Sequence, residues 1–98
     1  MFARPQRSAD ACFTVLAVRR DSQPARLGLA IAKKQVRLAT KRNRLKRLVR
    51  ETFREHRTRL VGLDLVVMAR SSAATADNRR LRSSLQRHFH QLLLSRES

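Results

Sequence analysis

The side chains with most chemistry to offer in this chain are cations set at helical intervals. From Ala39 to Glu51 it reads Ala-Thr-Lys-Arg-Asn-Arg-Leu-Lys-Arg-Leu-Val-Arg-Glu, and Leu45, Leu48, Val49, Phe53 and Leu60 keep the spacing of a helix that buries one stripe. At about 100° per residue, Asn43, Lys46, Arg47, Arg50, Arg54 and Arg57 gather on the opposite side. Such a comb suits a polyanion. Guanidinium groups donate paired N–H bonds to phosphate oxygens, ammonium groups add point charge, and a rigid backbone fixes their spacing. The usual reading of a charged run is a solvated helix face. Solvated faces, however, mix signs into i, i+4 pairs, whereas Lys33, Lys34, Arg37, Lys41, Arg42, Arg44, Lys46, Arg47, Arg50, Arg54, Arg57 and Arg59 meet only Glu51 and Glu55. An outside polyanion relieves that repulsion, so nucleic-acid binding is expected.

Other reactive residue types do not assemble into a site. His88 and His90 are two apart on a helical segment, so their side chains diverge and cannot share a metal ion. His56 falls near the buried stripe of the basic helix and reads as a packed or half-exposed ring. Asp10, Asp21, Glu51, Glu55, Asp64, Asp77 and Glu97 are scattered, and Glu51 and Glu55 read as tempering charge along the helix. No nucleophile with its base, zinc cluster or glycine-rich phosphate loop is spelled out. Catalytic residues: none; metal ligands: none; cofactor on the chain: none.

Composition bounds the class. The sequence has 98 residues, 23 Lys+Arg against 7 Asp+Glu, a formal charge of +16 and 42% hydrophobic residues. That length suits one domain over residues 1–98 with a modest core, and the apolar content argues against disorder throughout. The charge favours nucleic acid as partner over a membrane surface, since the basic helix has no aromatic anchor beyond Phe53. Cys12 is the sole cysteine, which fits a reducing compartment and reads as a small buried residue. No apolar run approaches the ~20 residues of a membrane span, and the start lacks a signal peptide's apolar stretch, so the cytoplasm is the expected location.

The elements that must position the comb follow from local patterning. Residues 1–10 read as polar and irregular. Ala11 to Val18 is strand-like, a loop runs from Asp21 to Ala25, and Arg26 to Ala32 reads as a second strand forming an antiparallel hairpin with the first. The basic helix is expected from around Leu38–Lys41 to about Leu60, stopping at Gly62 in a left-handed C-terminal position. Leu63 to Ala69 is a third strand, Ser71 to Ala76 a small-residue loop, and Thr75 or Asp77 can cap a last helix. Leu81, Leu85, Phe89, Leu92 and Leu93 share a face of that helix, whose end frays after Ser95. The sum is an α+β fold, an α/β sandwich in which helices cover one face of a small mixed sheet and leave the other partly open.

RNA fits this arrangement better than DNA. A DNA-reading role would use Asn43 and an arginine at base edges, but no helix-turn-helix precedes the basic helix, and its cations form a broad face rather than a few reading tips. A sheet beside a basic helix suits a single strand whose phosphates meet cations and whose bases rest on side chains.

Two segments carry a family resemblance. Arg26-Leu-Gly-Leu-Ala-Ile-Ala-Lys33-Lys34, followed by Ala39-Thr-Lys-Arg-Asn-Arg-Leu-Lys-Arg-Leu-Val-Arg-Glu-Thr-Phe-Arg54, resembles the protein subunit of bacterial ribonuclease P, and Asp64, Val66, Val67 and Arg70 resemble that family's next strand. The resemblance spans residues from about 2 to 94. It implies a role in removing the 5′ leader of precursor tRNA, with catalysis and Mg²⁺ on a large partner RNA. It also implies a left-handed strand–helix–strand crossover, against the usual right hand. By the same resemblance Arg42, Asn43, Lys46, Arg47 and Arg50 contact the catalytic RNA, with Arg44 and Arg54 on the same helix, while Lys33 and Lys34 line the leader cleft. Phe2, Phe13, Val15, Ile31 and Arg70 are weaker candidates for that cleft, because alternation does not fix which face each strand residue occupies. A helix bearing aromatics precedes the first strand in the family. Only Phe2 stands where its last aromatic belongs, so that helix is expected to be truncated or lacking. The rival reading is a purely structural RNA binder of ribosomal type.

Overall fold

Apolar alternation and helical stripes sort this chain into a sheet under two helices. The computed structural model describes residues 6–20 and 23–97, so Phe2 and Asp21 lie outside the described residues. The strands are β1 (Gln6–Ala9), β2 (Phe13–Arg19), β3 (Arg26–Ala30) and β4 (Leu63–Ala69); the helices are α1 (Ala39–His56) and α2 (Asn78–Glu97), with a 3₁₀ turn at Ser71–Ala74. The sheet order is β1-β2-β4-β3. β1 and β4 each pair antiparallel with β2, and β3 pairs parallel with β4. β3, α1 and β4 thus form a crossover between neighbouring parallel strands, the unit to which the resemblance assigns a left hand.

The expected β2–β3 hairpin does not form. A short connection favours adjacency, but β4 takes the position between the two strands. It carries the longest apolar run of the four, Leu-Asp-Leu-Val-Val-Met-Ala, and a central strand needs apolar residues on both faces. β3, with Gly28 and Ala30 on its outer side, suits the sheet edge. β1 was not expected at all: its residues Gln-Arg-Ser-Ala are polar or small and mostly exposed, which is the composition of an edge strand.

One face of the sheet holds the core. Phe13 pairs with Ala69, Val15 with Val67 and Ala17 with Leu65, and all six are buried. Leu45, Leu48, Val49 and Phe53 of α1 and Leu81, Leu85, Phe89 and Leu92 of α2 close over them. Each fully buried Leu or Phe contributes about 1.5–3 kcal/mol relative to exposure. The buried Thr52 hydroxyl donates to Leu48 O at 2.8 Å, so it costs little inside the stripe. His56 is half-buried, its ring 5.7 Å from that of Phe89, and His90 is exposed.

Helix ends follow local chemistry. Asp77, not Thr75, caps α2: its Oδ1 accepts the Arg80 N–H at 2.8 Å. α1 stops at His56, short of the expected Leu60, and residues 57–62 form tight turns. The turn ends at Gly62, where φ is +87° and an added Cβ would lie 3.1 Å from Arg20 O. Only glycine meets both demands without strain.

Asp10 fastens the β1–β2 turn to α2. Its Oδ1 accepts the N–H groups of Cys12 and Phe13, both at 2.9 Å, and Ser84 Oγ donates to its Oδ2. His88, 3% exposed, shares a hydrogen bond with Ser8 Oγ at 2.6 Å. Its Nε2 stands 3.3 Å from Asp10 Oδ2, close enough for attraction but off the hydrogen-bond line. Burial alone would raise the Asp10 carboxyl, but the bonds from Ser84 and the Phe13 and Cys12 amides, with His88 beside them, lower it from 3.8 to about 2. A carboxyl depressed in the folded state stabilises above its unfolded value and loses that contribution as pH falls from about 4 towards 2. Asp10→Asn is therefore expected to cost about 1–2 kcal/mol near neutral pH and to flatten the stability loss across that acid window. Urea unfolding of both proteins across that pH range measures it, and an unchanged acid slope would contradict the assignment.

Candidate nucleic-acid interface

The cationic helix is anchored at its start by its own arginines. Leu38 occupies the N-cap without a side-chain hydrogen bond, and no acid lies in the first turn. Lys41 and Arg42 thus add charge to an already positive helix end, an arrangement that favours an anion from outside. Arg42 folds back on the incoming loop, its NH1 donating to Val36 O at 3.0 Å and Arg37 O at 2.7 Å. Arg44 reaches α2: Nε donates to Asn78 Oδ1 at 3.0 Å and NH2 to Ala76 O at 3.2 Å. These two candidate site residues are structural ties as well as charges.

The remaining cations stand ready. Asn43, Arg47, Arg50 and Arg54 are exposed and Lys46 is half-buried. Among the described residues none of their side chains forms a hydrogen bond or ion pair. Glu51 is turned towards α2, its Oε2 3.5 Å from Arg82 NH2 with both groups about half exposed, so it leaves the face unneutralised. Thr40, Asn43, Arg44 and Arg47 line a hollow of about 300 Å³ on this face. The helix therefore brings together the residues that periodicity placed on one side.

The open face of the sheet is a second surface. It carries Arg7 and Ala9 of β1, Leu16 and Val18 of β2, Val66 and Met68 of β4, and Arg26, Gly28 and Ala30 of β3, as the register dictates. Val18 is 37% and Val66 39% exposed. Asp64 lies on the same face, paired with Arg20 at 3.0 Å. At the end where β3 and β4 finish, Ile31 lines a hollow of about 480 Å³ with Ala30, Ala32, Gln35, Met68 and Ala69. Lys33 and Lys34 are exposed in the turn that follows. Arg70, also exposed, donates to Asp10 O at 3.3 Å.

Phe13 and Val15 are corrected by this geometry. Both are fully buried against the helices, so they support the sheet from below and offer nothing to a ligand on its open side. Leu16, Val18, Val66 and Met68 occupy that side instead, and sequence reasoning missed them. The signal was present in β4: Asp64 marks the solvent phase of the alternation, which assigns Val66 and Met68 to the same side. Among the described residues no three His, Cys, Asp or Glu side chains converge in a way that would hold a metal ion, and no helix is long and apolar enough to cross a membrane.

Comparison with known proteins bears on this pair of surfaces. The family model described as Ribonuclease P matches residues 1–93. This chain belongs to the ribonuclease P protein family. The ribonuclease P protein component of Thioalkalivibrio sulfidiphilus is 49% identical over 92 residues, covering 94% of this chain and 77% of that protein. The solved RNase P protein of Staphylococcus aureus superposes with a TM-score of 0.81 at 27% identity, covering 90% of this chain and 81% of that one. That of Thermotoga maritima gives 0.74 at 31% identity, covering 85% and 79%. The mixed sheet under two helices is thus the ribonuclease P protein fold.

Proposed function

We propose that this chain is the RNA-binding protein subunit of a ribonuclease P ribonucleoprotein, assisting endonucleolytic removal of the 5′ leader from precursor tRNA in the cytoplasm. The observation that carries the reading is the unneutralised face of α1, where Asn43, Arg47, Arg50 and Arg54 are exposed and have no side-chain hydrogen bond or ion pair among the described residues. That face holds the catalytic RNA by its phosphates. Arg42 and Arg44 keep the face rigid by tying α1 to the preceding loop and to α2. The leader strand crosses the open sheet face. There Leu16, Val66 and Met68 give its bases an apolar rest, and Lys33 and Lys34 meet its phosphates at the strand ends.

In this reading hydrolysis belongs to the RNA, with Mg²⁺ bound there, and the protein supplies binding and position. What supports it is the chemistry of the two surfaces: both carry donors and apolar contacts, and neither brings an acid and a base to one point. The RNA that copurifies with the chain tests the assignment. Sequencing is expected to recover one large structured RNA together with tRNA precursors that retain their leaders. Recovery of ribosomal RNA alone would instead support a structural ribosomal-type binder.

A further inference from the structure

A groove between α1 and the edge strand β3 borders the cationic face of α1 and shares Lys46, Arg50 and Arg54 with it. Leu27, Leu29 and Phe53 form its floor, Lys46, Arg50, Arg54 and Arg57 its rim, and its volume is about 420 Å³. Leu27 and Leu29 are half-buried and face the core side, opposite to the face that the leader is proposed to cross. The lining contains four cations and no acid. Among the described residues β3 pairs only with β4, so one side of its backbone remains open to hydrogen bonding along the groove.

An apolar floor under a cationic rim matches a ligand with both an exposed apolar face and negative charge. A paired RNA helix supplies only the charge, because its bases are stacked inside. An unstacked nucleotide supplies both. The volume falls within the range of about 300–1,000 Å³ typical of small-ligand pockets, and the free edge of β3 can meet the hydrogen-bonding edge of a base. Resting on the reading that α1 binds RNA, we propose that this groove captures an unpaired nucleotide of the bound RNA. Its base lies against Leu27 and Leu29, and its flanking phosphates meet Arg50, Arg54 and Arg57. The helix face then holds paired RNA while the groove selects RNA that has an unpaired residue beside it.

Methyl and amide NMR of the full chain tests this, with a short single-stranded RNA and a fully paired hairpin of the same composition as probes. Both RNAs are expected to move the Asn43 and Arg47 amides. Only the single strand is expected to shift the Leu27 and Leu29 methyl groups, through the ring current of the base. Single-strand binding that moves Leu16, Val18 and Val66 but leaves Leu27 and Leu29 still would overturn the proposal, as would equal shifts from the hairpin. An acidic, leucine-containing peptide that moves the same methyls at lower concentration than the RNA would also overturn it, in favour of a protein partner. If neither RNA moves Asn43 or Arg47, the reading of α1 itself fails, which is a separate result. Arg57 is exposed, so Arg57→Ala should leave the fold intact. It is expected to lower the salt slope of single-strand binding by about one unit. An unchanged single-strand slope would remove Arg57 from the site and overturn the placement of the phosphates.

Discussion

Replacing Arg47 and Arg50 together with alanine is expected to weaken RNA binding about thirtyfold at moderate salt. Each loses a charge-assisted contact that contributes on the order of 1 kcal/mol net, and the two lie on neighbouring turns of a rigid helix. The slope of log affinity against log salt should fall by about one unit per lost contact, hence by about two. Both side chains are exposed and make no hydrogen bond or ion pair among the described residues, so the folded state should survive. It should even gain slightly from relief of like-charge repulsion. Pyrophosphate at matched ionic strength should raise the unfolding midpoint of the parent chain, because an anion that binds only the folded face stabilises it by mass action. The double variant should gain less. Titrations at several salt concentrations decide the matter: an unaltered slope would mean that the face is solvated rather than bound.

The same change at Arg42 or Arg44 has a different meaning. Those guanidinium groups tie α1 to the loop before it and to the start of α2, so their loss disturbs the platform as well as its charge. Nothing in the local sequence separates them from Arg47 and Arg50. The partners of Arg44 lie 34 and 32 positions away, and only the packing of α2 beside α1 brings them together. Conversely, the outward direction of Arg47, Arg50 and Arg54 was legible because it follows from helical period alone.

The fold divides in the same way. α1, β4 and α2 were legible because each carries an apolar pattern of the right period over several turns or pleats. The β1 strand was not, since an edge strand of polar residues has no such pattern and is held by backbone pairing to β2. The pairing of β3 was misread because loop length is a local argument. The choice between β2 and β4 as its neighbour is instead made by α1, whose crossover covers the parallel pair, and by the demand of β4 for cover on both edges. Phe13 and Val15 show a third kind of failure. A period of two identifies a strand yet leaves its phase free, and a one-residue change of phase exchanges the floor of a cleft for the centre of a core.

Cleavage of precursor tRNA by this chain, with and without its RNA partner, separates binding from catalysis. The purified protein, freed of nucleic acid, is combined with Mg²⁺ and a precursor tRNA, alone or after reconstitution with the ribonuclease P RNA of the same cell. If the protein supplies contacts and the RNA the chemistry, protein alone should cleave nothing and the reconstituted particle should release the intact 5′ leader. The particle should also need less Mg²⁺ and bind the precursor more tightly than the RNA by itself. Cleavage at the leader junction by rigorously RNA-free protein, or a reconstituted particle that binds and cuts no better than the RNA alone, would contradict that division.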